Sequence, residues 1–161
     1  MRHDELDWDY LIKLGTQVVE NHTPYVFGAE VDLDNPDPCH FKFTGIDCSE
    51  LMEWLYARLR RKDDLTPIHI PLPDGSYNQA KVCERLPSST SLLVGDLAFK
   101  WNPDTEVIHH VGMYVGDGMI LEAKGKLWGV VMSAVGSFTA SQHFAYWARH
   151  EDIIGMPLEV I

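Results

Sequence analysis

The chain has 161 residues, 45% of them hydrophobic, with a formal net charge of -11 and a pI near 5. That length suits one domain, residues 1–161, with a core of ordinary size, and the composition excludes a disordered or low-complexity chain. The acidic balance lacks the basic footprint that binding to nucleic acid or to an anionic membrane surface requires.

The first residues, Met1 to Trp8, carry charges where an export signal carries an apolar core, and no apolar run approaches the ~18 residues of a membrane span. The expectation is a protein made in the cytoplasm without a signal peptide, with no membrane insertion. Leu6, Tyr10, Leu11, Leu14, Val18 and Val19 recur at helical spacing and predict a packing helix over 4–21, ended by Asn21, His22 and Pro24. Tyr25 to Ala29 then leads into an acidic, proline-containing loop through Asp32, Asp34, Pro36, Asp37 and Pro38. Loops of that length inside a compact domain are more often functional than not.

Leu51, Leu55 and Leu59 repeat at one-turn spacing and predict a helix over 48–62, with Arg58, Arg60, Arg61 and Lys62 at the negative end of its dipole. Asp47 and Ser49 are residue types that satisfy the free amides of a first turn. Cys48 is thereby placed where unpaired amides and the positive end of the macrodipole favour a thiolate, the nucleophilic form of cysteine. A cysteine taken alone is more often a small buried apolar side chain; the residues downstream decide between the two readings. Prolines 67, 71 and 73 break the next segment, and Asp74-Gly75-Ser76 turns into a short helix predicted over Tyr77 to Arg85, with Cys83 in the core. Cys39, Cys48 and Cys83 are an odd set without paired spacing, which argues against both a disulfide framework and a CxxC zinc site.

From Leu92 the period changes. Strands are predicted over Leu92–Trp101, Val107–Val115, Met119–Ala123, Val130–Val135 and Phe144–Arg149, so helices come first and an antiparallel sheet second, an α+β order. In the run from His109 to Val115, alternation puts His109, Val111, Met113 and Val115 on one face and His110, Gly112 and Tyr114 on the other. The apolar face is assigned to the core. His110 is then the histidine placed to act, beside a face that Gly112 keeps open, and His109 is a core or edge histidine.

Gly116-Asp117-Gly118 is a hairpin turn. If its loop has three residues, Val115 pairs with Met119 and Gly112 with Glu122, placing Glu122 on the His110 face one diagonal step away, roughly 7 to 8 Å between α-carbons. A two-residue loop puts Glu122 on the other face. A metal hydrolase is disfavoured: no HExxH spacing occurs, and His109 and His110 point to opposite faces.

Three features occur in order: PYVFGA, the DCS step that opens a helix, and HVGMYVGDGMILEA about sixty residues later. Together they resemble the NlpC-type cell-wall peptidases, a papain-like family of cysteine hydrolases that cleave the peptide stems of bacterial peptidoglycan. Val94 to Phe99 resembles that family's GDL strand entry, and the likeness spans about Tyr25 to Val131. It implies a papain-like fold, with Cys48 as nucleophile, His110 as general base and Glu122 as the orienting third residue. Tyr25, Asp47 and Ser49 match the substrate-side neighbours of the thiol, and neither cofactor nor metal is implied.

The sequence departs from the family pattern in four places. Glu50 follows DCS where glycine is usual, Gly28-Ala29 replaces a double glycine, Glu122 stands where histidine is commoner, and the loop between Ala29 and Cys48 is long. The resemblance implies a thiol endopeptidase or amidase acting at the cell wall after release or delivery. A phage lysin or tail enzyme, or a toxin delivered by a secretion machine, with a phage tail, a holin or a cognate inhibitor as partner, would fit that setting. The alternative is an inactive binding or virion-assembly module that keeps the fold.

Overall fold

In the computed structural model, which describes residues 1–87, 90–102, 104–136 and 144–155, three helices precede and flank a six-stranded sheet. Helix α1 (Trp8–Glu20) starts where Asp7 accepts a hydrogen bond from the Tyr10 amide at 3.2 Å, a side-chain cap on an otherwise unpaired donor. It buries Trp8, Leu11, Leu14 and Val18. Gly15 lets α1 lie close to the sheet, because a Cβ there would sit 2.5 Å from a Leu121 methyl.

Helix α2 (Cys48–Tyr56) buries seven residues, Ser49 among them, so it is a core helix rather than an amphipathic surface one. It stops at Tyr56, short of the predicted 62. The basic residues beyond it find long-range partners instead of the helix dipole. Arg58 donates to the Leu33 carbonyl, and Arg60 pairs with Asp7 at 2.8 Å and lies over the Tyr10 ring. Helix α3 (Ser76–Lys81) ends earlier than predicted as well. The next residues form strand β1 (Cys83–Arg85), which pairs with the strand at the chain's far end. Tertiary pairing overrides local helical preference there. Cys83 is half-buried against the core rather than within it.

The other strands are β2 (Leu97–Asn102), β3 (Val107–Gly116), β4 (Met119–Gly125), β5 (Gly129–Ala134) and β6 (Phe144–His150). All pairings are antiparallel, in the order β1-β6-β2-β3-β4-β5. The main core joins α1 and α2 to Leu97, Phe99, Val111, Met113, Leu121 and Ala123 of the sheet. A second, smaller cluster holds Ala98 and Ile120 with Val135 and Trp147 packed against it. The apolar face assigned to the core is thus found there.

Two details of β3 differ from expectation. The turn into β4 is the two-residue Asp117-Gly118, since Gly116 pairs directly with Met119. A register shift between Tyr114 and Gly116 absorbs one residue, so Met113 still pairs with Leu121 and Glu122 stays on the His110 face. Moreover, that face is covered rather than open: Gly112 is buried and Glu122 is 2% exposed. His109 is exposed instead of core, at a second irregularity where Lys100 pairs with His110 but Trp101 pairs with Ile108.

Candidate active site

Cys48 is the first residue of α2, and Asp47 is its N-cap. One oxygen of Asp47 accepts from the Glu50 amide at 2.9 Å and from the Ser49 hydroxyl at 3.2 Å. The other accepts from the Gly28 amide at 3.1 Å, which ties the Tyr25–Gly28 segment to the start of the helix. The Cys48 amide, at the first helical position, has no acceptor within its own helix. A parallel bridge between Tyr25 and Ile46 sets Tyr25 beside the thiol. Burial raises the Tyr25 pKa, and negative charge on Cys48 and Asp47 raises it further, so its hydroxyl stays protonated.

His110, on β3, is the partner of that thiol. Its Nε2 lies 2.9 Å from Glu122 Oε1, and the ring also hydrogen-bonds Cys48, which leaves Nδ1 for the sulfur. Burial disfavours charge on this imidazole. The hydrogen bonds to Cys48 and Glu122 more than offset it and push the ring up to about 9. Burial alone would raise the Glu122 pKa, but the hydrogen bond and charge of His110 prevail, with help from Ser133 and Lys100, and hold the carboxyl below its ordinary value. The two shifts agree: a hydrogen-bonded carboxylate faces an imidazolium. That arrangement sets a protonatable imidazole, oriented by a carboxylate, against the Cys48 sulfur.

Every residue singled out in the sequence therefore converges here, in two groups. Cys48, His110 and Glu122 form a continuous hydrogen-bonded series from α2 across β3 to β4, with Tyr25 beside the thiol. Asp47 and Ser49 use their polar atoms on the helix cap, and Ser49 is buried.

Four further residues shape the site. Glu53 lies one turn beyond Glu50 on α2, and burial followed by the charges of Asp74, Glu50 and Asp47 pushes its carboxyl up to about 7. Gln79, fully buried on α3, donates to the Ser49 carbonyl at 2.8 Å and the Pro73 carbonyl at 3.1 Å, bracing the first turn of α2. Lys100 on β2 stands opposite His110 and acts electrostatically on Glu122. The i, i+3 spacing of Glu50 and Glu53 was readable in the sequence; Asp74, Gln79 and Lys100 carry no local signal. Among the described residues, no group of three or more His, Cys, Asp or Glu side chains is placed to hold a metal ion.

The profile of the NlpC/P60 family matches residues 22–150. The chain belongs to the NlpC/P60 family. Its fold is the papain-like α+β fold of solved NlpC/P60 structures. NlpC2 from Trichomonas vaginalis superposes with a TM-score of 0.60 at 20% identity, over 88% of this chain and 46% of that one, so this chain spans about half of that protein's length. The P60 domain of an antigen from M. avium subspecies paratuberculosis gives 0.56 at 26% identity, covering 87% and 96%. RipD from Mycobacterium tuberculosis, described as a non-catalytic NlpC/p60 domain protein adapted to peptidoglycan binding, gives 0.58 at 21% identity, covering 88% and 95%. No curated protein sequence matches the chain. Within the NlpC/P60 family this chain carries a carboxylate as the neighbour of its site histidine.

Proposed function

We propose that this NlpC/P60 protein is a thiol hydrolase that cleaves amide bonds in the stem peptides of bacterial peptidoglycan through Cys48, His110 and Glu122. The observation that carries the reading is the unbroken series thiol, imidazole, buried carboxylate, with His110 raised and Glu122 lowered. The Cys48 thiolate attacks the amide carbon, and the carbonyl oxygen gains charge beside the free Cys48 amide. His110 passes its Nδ1 proton to the leaving amine as the C–N bond breaks, leaving a thioester. The neutral ring then takes a proton from water, hydroxide adds to the thioester, and the thiolate departs with the acid product released. Glu122 keeps a proton on Nε2, so that Nδ1 is the nitrogen that cycles.

A binding module is the second reading, favoured by the likeness to RipD. Digestion of purified peptidoglycan, with the new amino termini identified by mass spectrometry, separates the two. Wild-type protein releases peptides, and Cys48→Ala, which removes the nucleophile and little volume, releases none while keeping its circular dichroism. Undiminished digestion by the alanine variant sinks the thiol mechanism. Alkylation gives an independent readout: Cys48 reacts well ahead of Cys83, whose thiol burial pushes up to about 12.

A further inference from the structure

The proposed cycle gives Glu122 a changing neighbour. While His110 is an imidazolium, the carboxylate faces a cation 2.9 Å away. Once His110 has given its proton to the leaving amine, Glu122 is a buried anion beside a neutral ring, an arrangement that is strongly disfavoured unless another cation is at hand. A carboxylate left in that position takes up a proton from solvent and donates it to Nε2, so that the ring's single proton moves to Nδ1. The ring can then no longer act as a base toward water at that nitrogen.

The sheet places a cation for this task. Lys100 on β2 is the direct cross-strand partner of His110 and so projects on the same face. The next pair on that face is Ala98 and Gly112, a methyl and a hydrogen. Glu122 on β4 stands at the level of Gly112, given the Met113–Leu121 pairing beside it. Beside His110, over Ala98 and Gly112, a four-carbon stem can run from Lys100 toward Glu122. The other groups bearing on this carboxylate are His110 on β3 and the Ser133 hydroxyl on β5. Lys124 on β4 acts on Lys100 as a like charge.

We infer that Lys100 is a positioning residue, the permanent cation that keeps Glu122 ionised through the half-cycle in which His110 is neutral. The inference rests on the hydrolase reading. It accounts for a half-buried lysine whose charge burial disfavours and Glu122 supports, in a place where an apolar side chain would otherwise suit the sheet.

The test is a double-mutant cycle read as pH profiles. Lys100→Met raises the pKa of Glu122 and moves the acid limb of kcat to higher pH by about 0.5 to 1 unit, a three- to tenfold loss on that limb. Lys100→Arg keeps the wild-type limb. In a Glu122→Gln background, Lys100→Met adds no further loss, because no carboxylate remains to stabilise. An unmoved acid limb, or an equal loss in both backgrounds, overturns the proposal and leaves Lys100 a structural residue. Should the methionine variant not fold, Lys100→Gln replaces it in the same cycle. The Glu122 titration, followed by carbon-13 NMR in Cys48→Ala protein, needs no turnover: its midpoint rises in the Lys100 variant, and an unchanged midpoint overturns the inference. Wild-type protein that digests no peptidoglycan sinks the hydrolase reading, while that titration still decides the coupling.

Discussion

His110 gives its two ring nitrogens different tasks, one facing a thiol and one a carboxylate, and its raised pKa is the sum of both contacts against burial. Replacing the carboxylate by an amide separates charge from shape. Glu122→Gln keeps an acceptor for Nε2 but removes the negative charge that stabilises the imidazolium, so the His110 pKa falls from about 9. Activity that needs the protonated ring is then lost at lower pH. The expected outcome is a lower kcat/KM with the alkaline limb of the pH profile shifted to lower pH, read from rates on a soluble stem-peptide substrate. An unchanged profile would make Glu122 a bystander and leave a Cys48-His110 pair. His109→Ala serves as the control, since that side chain is exposed and its loss leaves the profile in place.

At the scale of elements, alternation along β3 set His110 on the face shared with Gly112, because the two-residue period is a property of the extended backbone, but it misplaced His109, which a register shift leaves exposed. The Glu122 assignment was not decidable that way. The turn has two residues, which alone would have turned Glu122 away. The shift between Tyr114 and Gly116 restores the face, and no residue type marks such a bulge in a valine-rich strand. The end of α2 was misread for a related reason: Leu59 continues the helical spacing, yet Arg58 and Arg60 are held by Leu33 and Asp7, far off in sequence. The N-cap, by contrast, is local chemistry, and Asp47 announced it.

The acidic side of α2 yields a further expectation. The Glu53 carboxyl is raised to about 7 in the folded protein against an ordinary value of 4.5. The folded state therefore binds more protons than the unfolded one between those values, and stability falls as pH rises through that window. Glu53→Gln removes this term. Urea midpoints measured from pH 4.5 to 7 decline less steeply for the variant than for the wild type, and parallel curves would refute the assignment.

Over the whole molecule, the GDL step that resembles a family motif has a structural explanation. Gly95 has a φ of +96 and lies against Trp8, where a Cβ would come within 2.3 Å of the ring, so the start of α1 is pressed onto the entry to β2. Asp96, 1% exposed, accepts from the Leu93 amide at 2.8 Å and holds Arg149 of β6 through two hydrogen bonds at 2.7 and 2.9 Å. Leu97 then enters the core. Three consecutive residues thereby join α1, β2 and β6 around the strand that carries Lys100. An ion pair of this kind adds little over an apolar pair of the same shape, but removing one partner strands the other charge. Asp96→Ala leaves the Arg149 guanidinium largely buried without its carboxylate and frees the Leu93 amide, so a loss of about 3 to 5 kcal/mol is expected. Because the side-chain hydrogen bonds of Asp96 go to Leu93 and Arg149, the protein that remains folded keeps the wild-type pH profile. Denaturant unfolding followed by tryptophan fluorescence measures the first quantity and residual hydrolysis the second. A large activity defect at unchanged stability would move this motif from the scaffold to the site.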